Sequence, residues 1–325
     1  MKIRFFWITG ILVAVFLLVG IAYAAEITIR LGSAFEPTHI LCQAAEKFKA
    51  LVEKRSNGAI EVQLFLGGAM GSEEECTEAV SIGALEMQVG GGLPIKTFAP
   101  QYYFFDSPYV MRDWNHFQRV WAGPLGEKAR EELIKKGNTM YLGVVYRGVR
   151  HLTANKPIYT PDDLKGVKLR LPQLPTWVKV WEAIGASTVP IALTELFTAL
   201  QTGVADASEG DVTQILSFRL YEVQKYLMLT GHLVQTGGLT INKPFFDKLK
   251  KEYQDIIVQA GKEATDWASE TIVTKEEDLI KELEAKGMQI IEPNAQAFRD
   301  KAKSAVEELF KAEWPVTTWE ELLSY

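Results

Sequence analysis

The sequence predicts an α/β protein of two lobes, on three observations. Strand-like and helical patterns alternate up to Val89 at the lengths of a doubly wound parallel sheet. A chain of 325 residues is long for a single lobe. A helical pattern runs nearly unbroken from about Lys250 to Lys286, longer than an ordinary helix and suited to bracing two bodies.

Each element has a local reason. Glu26–Ser33 alternates apolar and polar residues, with Ile27, Ile29 and Leu31 on one face. Thr38 opens a helix whose stripe is Leu41, Ala44, Ala45, Phe48, Leu51 and Val52, and Asn57-Gly58 stops it. Ile60–Leu66 is a second strand, Ser72 caps a helix through Ile82, and Leu85–Val89 is a third strand. Val144–Arg150 and His151–Thr153 carry the chain into the second lobe. There Thr160-Pro161-Asp162-Asp163 starts a helix, with a capping Thr, Pro at the first position and acids in the first turn. Val167–Leu171 is a strand after Gly166, Thr194 caps Glu195–Thr202, and Val204–Ala207 is another strand. Leu233–Ile241 returns to the first lobe. No internal repeat or low-complexity linker separates the lobes, so they are intertwined.

The first residues are a leader rather than fold. Lys2 and Arg4 precede an apolar run from Phe5 to Ile21, and Ala22-Tyr23-Ala24 is a small-x-small cleavage site. Residues 1–24 are therefore expected to be a signal peptide, with an uncleaved anchor as the alternative. The net charge of −6 gives no basic footprint for nucleic acid. Export permits a disulfide between Cys42 and Cys76, yet each lies in a separate amphipathic segment, and two unpaired thiols is the preferred reading.

Enzyme signatures are missing. The chain has no G-x-S-x-G, no H-E-x-x-H and no G-x-x-x-x-G-K-[ST]. Gly90-Gly91-Gly92 lacks dinucleotide spacing, and Pro94 intrudes before any helix. None of the histidines (His39, His116, His151, His232) has a carboxylate or nucleophile that the sequence sets beside it. No catalytic residue, cofactor or metal site is expected.

Two arginines carry the functional reading. Arg150 and Arg170 sit in short apolar strand-like runs, a costly place for a charge that meets no anion. In Val167-Lys168-Leu169-Arg170-Leu171 the alternation turns Arg170 away from the apolar face, where its planar fork suits a carboxylate. Three stretches then resemble a known family: D-L-K-G-V-K-L-R, A-L-Q-T-G-V-A-D and Y-E-V-Q-K-Y-L. They look like the solute receptors of TRAP (tripartite ATP-independent periplasmic) transporters, of the C4-dicarboxylate-receptor-like family. The resemblance runs from about Ile27 to about Phe298.

The resemblance implies a type II-like periplasmic binding protein with a hinge, a central cleft and a long helix bracing both lobes. It places residues 25–147 with 236–275 in one lobe, and 148–235 with 276–325 in the other. It implies a periplasmic monomer that binds a small organic acid and hands it to TRAP membrane permease subunits. Arg170 matches the family's carboxylate clamp, and Arg150 matches a second cationic contact. Gln173, Phe35 and Trp177 join them as expected ligand contacts. Ser208-Glu209-Gly210-Asp211 departs from the Q-E-N-P of many sugar-acid-binding members, so Gly210 cannot supply their amide. Glu209 is expected to brace an arginine or to accept from a ligand hydroxyl; with Asp211 it is also a weaker candidate for holding a cation. Where sialic-acid-binding relatives place polar groups, this chain has Ala34, Phe35, Gly90–Gly92 and Gly237-Gly238. That absence is expected to leave room for a bulky, weakly hydroxylated acid. A receptor for an ABC transporter or a sensor is the alternative, and a carboxylate-processing enzyme a lesser one.

Overall fold

The computed structural model describes residues 25–325, so the expected leader and its expected cleavage site lie outside the described residues. Among the described residues nine strands form one sheet: β1 (Ile27–Gly32), β2 (Ile60–Phe65), β3 (Met87–Gly90), β4 (Thr139–Ala154), β5 (Lys168–Leu171), β6 (Ser187–Pro190), β7 (Ala207–Asp211), β8 (Tyr226–Asn242) and β9 (Gln289–Ile291). Their order is β2-β1-β3-β8-β4-β7-β5-β6, with β9 beside β8. β2, β1 and β3 are mutually parallel, as are β7, β5 and β6. The long antiparallel pair β4 and β8 joins these two parallel ends.

The sequence signals act locally as expected. Ile29 and Leu31 are fully buried beneath the helix Ile40–Arg55, whose Leu41, Ala44, Ala45, Phe48 and Val52 fill the same core. His39, rather than Thr38, caps that helix, its Nδ1 accepting from the Leu41 amide at 3.1 Å. Ser72 and Glu75 form a reciprocal capping box on the helix Glu73–Ile82.

Two differences bear on the site. The two strands read between Val144 and Thr153 are one, β4, which carries β-bulges instead of a break. At one bulge Gly148 has φ +97° and faces Gln235 on β8. The strand read at Val204–Ala207 lies further on: Val204 is half-exposed after the Gly203 turn, and Ala207–Asp211 pairs with β4. This shift sets Asp211 opposite Arg150 and Glu209 opposite Leu152.

The long helix, Lys251–Ala285, packs along β4 through Ala264, Ala268 and Ile272. Ser269 Oγ accepts from the Tyr146 amide at 2.9 Å, and the Glu276 carboxylate accepts from the Val149 amide at 2.8 Å beside the bulge. The C-terminal segment packs on residues that precede β4. Trp314 packs edge-on to Phe104, and Arg112 donates to the Leu323 carbonyl at 2.6 Å.

Cys42 and Cys76 are both free and buried. Among the described residues no helix is long and apolar enough to cross a membrane.

Candidate ligand-binding site

β4, β5 and β8 bring polar residues to one small cavity of about 60 Å³ between the two ends of the sheet. Arg147 and Arg150 come from β4, Arg170 from β5, and Trp177 from the helix Pro175–Ile184 that follows it. Glu73 and Glu74 at the start of the capped helix, Gly91 and Gly92 after β3, and Asp106 form the facing side. Phe35, Gln214 and Gln235 complete the floor and rim.

The three arginines have very different surroundings. Arg150 is buried at 3% exposure and fully engaged. Its Nε and Nη2 form a fork with the Glu209 carboxylate, Nη2 also donates to the Glu209 carbonyl at 2.9 Å, and Nη1 donates to Gln235 Oε1 at 2.9 Å. Its guanidinium stacks 5.0 Å from the Trp177 ring. Burial pulls the Arg150 pKa down, but the Glu209 charge outweighs it and holds the group above its ordinary value. Arg147 is paired with Asp211 at 2.7 Å and lies 4.6 Å over the Phe35 ring.

Arg170 has no such partner. It is 1% exposed, and its Nε and Nη2 both donate to the Ile191 carbonyl, at 2.9 and 2.6 Å. Among the described residues no carboxylate lies within ion-pair distance of it, and Nη1 has no hydrogen-bond partner. Burial pushes its pKa down to about 10, which leaves it charged at neutral pH.

Behind β4, two buried networks absorb the other charges. Glu209 accepts from Arg150 and lies 3.1 Å from His232 Nε2. Burial raises its pKa, but Arg150 and His232 override that and hold it at about 2. Asp211 is held well below the ordinary carboxylate range: burial opposes, while Arg147 and His39 prevail. It also accepts from the Thr213 hydroxyl and caps the next short helix. Both carboxylates are committed, and no cluster of three metal-ligating side chains exists among the described residues.

The expected contacts divide. Arg170, Arg150, Gln173, Phe35 and Trp177 line the cavity, Gln173 at its exposed mouth. Glu209 stands behind Arg150 as its brace, and Gly210 lies outside the lining because the Gln214 amide fills its space, 2.8 Å from where a Cβ would sit. Trp177 also ties the two sides together, its Nε1 donating to the Asp106 carbonyl at 2.7 Å.

The room expected at the glycines is taken. A Cβ on Gly91 would stand 3.0 Å from Glu73 Oε1, and one on Gly92 would fall on the Asp106 carboxylate. Ala34 borders a different pocket, and Gly237 and Gly238 serve backbone packing in the sheet. Sequence reasoning missed Arg147, Glu73, Asp106 and Gln235. Arg147 was readable, since it lies three residues before Arg150 in the same strand; the acids come from remote segments with no motif around them.

A family model for DctP, bacterial extracellular solute-binding protein, family 7, matches residues 31–313. A solute-binding protein of Roseobacter denitrificans is 32% identical over 88% of this chain and 87% of its own. The C4-dicarboxylate-binding periplasmic protein DctP of Rhodobacter capsulatus is 29% identical over 93% of this chain and 86% of its own. The crystal structure of a TRAP periplasmic solute binding protein from Roseobacter denitrificans with bound L-galactonate has a TM-score of 0.85 and 31% identity, covering 92% of this chain and 99% of that one.

Proposed function

We propose a site and a mode of action from the premise that the chain belongs to the bacterial extracellular solute-binding proteins of family 7. It is an extracytoplasmic receptor of the TRAP type. In our reading it binds a small organic acid by the carboxylate at Arg170 and delivers it to membrane permease subunits, as a binder rather than a catalyst. One observation carries the assignment of the clamp: Arg170 is a buried cation without an anionic partner among the described residues, beside two arginines that each have one. A ligand carboxylate supplies the missing charge, and exclusion of water strengthens the pair. The acid named with the Roseobacter structure, galactonate, and the D-erythronate bound to a Polaromonas relative of TM-score 0.84 support this ligand class.

The lobes in this reading are residues 25–147 with 236–275, and 148–235 with 276–325. The Gly148 bulge opposite Gln235 supports hinges at those two strand positions. Cleavage after Ala24 would release the mature receptor, and N-terminal sequencing of exported protein should begin at or near Ala25.

Calorimetric titration with a panel of organic acids tests the site. Wild type should bind at least one acid, and Arg170→Ala should bind it at least about a hundredfold more weakly, because truncating one side of a buried ion pair strands the other charge. Affinity within threefold of wild type in a folded Arg170→Ala protein would move the site elsewhere.

A further inference from the structure

We propose that Glu73 and Asp106 select the far end of the ligand: the cavity accepts a monocarboxylate that carries hydrogen-bond donors, hydroxyl or ammonium, and turns away a second carboxylate. This inference rests on the reading of Arg170 as the carboxylate clamp and extends it to the opposite side of the same cavity.

The charge inventory leads there. Of the three cavity arginines, Arg147 and Arg150 already face Asp211 and Glu209, so one positive charge remains for the ligand. A second carboxylate would find no free cation. It would instead meet Glu73 and Asp106, with Glu74 beside them. Like charges in a water-poor space repel strongly, since the low dielectric magnifies the interaction.

The orientation of these acids makes them acceptors. Gln235 gives its amide oxygen to Arg150, so its Nε2 must donate, and it does so to Asp106 Oδ1 at 2.6 Å. The Tyr103 hydroxyl donates to Asp106 Oδ2 at 3.3 Å. Glu73 Oε1 accepts from the Gly91 amide, and Oε2 has no protein partner among the described residues. A half-buried acceptor at the cavity wall with no donor favours a ligand that brings one. Burial pushes the Glu73 pKa to about 7 and the Asp106 pKa to about 6, against the pull of Arg147 on both. Burial thus outweighs the positive charge near both groups, and Glu73 Oε2 in addition lacks a protein donor among the described residues. A ligand hydroxyl or ammonium would relieve them, and an apolar tail would not.

Matched acids decide the question. Unsubstituted, ω-hydroxy, ω-amino and ω-carboxy acids of four, five and six carbons would be titrated into the mature protein by calorimetry at pH 8. At the best chain length the ω-hydroxy or ω-amino acid should bind at least about tenfold more tightly than the unsubstituted one, because a site built for donors is left unsatisfied without them. The dicarboxylate should be the weakest of the four. A hydroxyl preference and an ammonium preference both support the proposal and tell the two donors apart. Glu73→Gln and Asp106→Asn should each narrow the gap and strengthen dicarboxylate binding. Tightest binding of the unsubstituted acid or the dicarboxylate by wild type would overturn the proposal while leaving the clamp intact. If binding were seen but Arg170→Ala left it unchanged, the clamp would fall instead.

Discussion

Arg150 and Arg170 line one cavity, are equally buried, and are opposites in chemistry. Arg150 is forked on Glu209, stacked on Trp177 and bonded to Gln235, so its charge is balanced within the protein. Arg170 has a single backbone carbonyl for two of its donors and, among the described residues, no anion. Burial alone therefore does not mark a ligand-binding cation. What separates scaffold from clamp is whether the fold supplies the counter-charge. A balanced pair fixes geometry, and an unbalanced cation holds its interaction energy for an incoming anion.

The sharpest way to break this comparison is to remove each arginine's charge in turn. Arg170→Ala should weaken acid binding by roughly two to three and a half orders of magnitude, from a loss of about 3–5 kcal/mol at about 1.4 kcal/mol per tenfold. The apo protein should stay as stable as wild type or become more so, because an uncompensated buried charge is gone. Arg170→Lys should recover only part of the affinity, since an ammonium keeps the charge without the fork. Loss of folding stability in Arg170→Ala, read by denaturant titration, would show that Arg170 is structural like Arg150.

The converse substitution is Glu209→Gln. It leaves Arg150 buried with an amide in place of its carboxylate and takes the anion from His232. A stability loss of about 3 kcal/mol is expected, at the low end for a broken buried pair because the amide oxygen still accepts one bond. Its effect on ligand affinity should be smaller than that of Arg170→Ala. An unchanged unfolding midpoint would mean that Glu209 does not balance Arg150.

Much of this was legible in the sequence, for reasons that are local. The alternation in Val167–Leu171 turned Arg170 off the apolar face, and Ser72 with Glu75 announced a helix that the capping box delivers. The long helical pattern from Lys250 to Lys286 became the 35-residue helix Lys251–Ala285. What sequence could not supply is which remote group fills a gap. The glycines at 91 and 92 read as empty space, but carboxylates from residues 73 and 106 occupy it. Likewise, the partner that silences Arg150 sits 59 residues away, and it reaches it only because β7 starts later than the turn at Gly203 suggested.

The smallest expected effect tests the side facing the arginines. Glu73 has a pKa of about 7 in the folded protein because burial, with Glu74 and Asp106 adding to it, outweighs the Gly91 amide and Arg147. A carboxyl with a raised folded pKa contributes stability that is fully present below its unfolded value near 4.5 and is lost as pH rises through about 7. Glu73→Gln has no such proton to lose. The difference in unfolding free energy, wild type minus Glu73→Gln, should therefore fall between pH 4.5 and pH 8. A change on the order of 2 kcal/mol is expected, below the full value of the shift because the group borders the cavity. Glu209 and Asp211 act in the opposite sense, their depressed pKa values costing stability only at lower pH, and they cancel because both proteins carry them. Paired denaturant titrations at the two pH values give the number. A difference that stayed flat would mean that Glu73 is solvated like a surface carboxylate, and the strain assigned to the acidic side of the cavity would then rest on Asp106 alone.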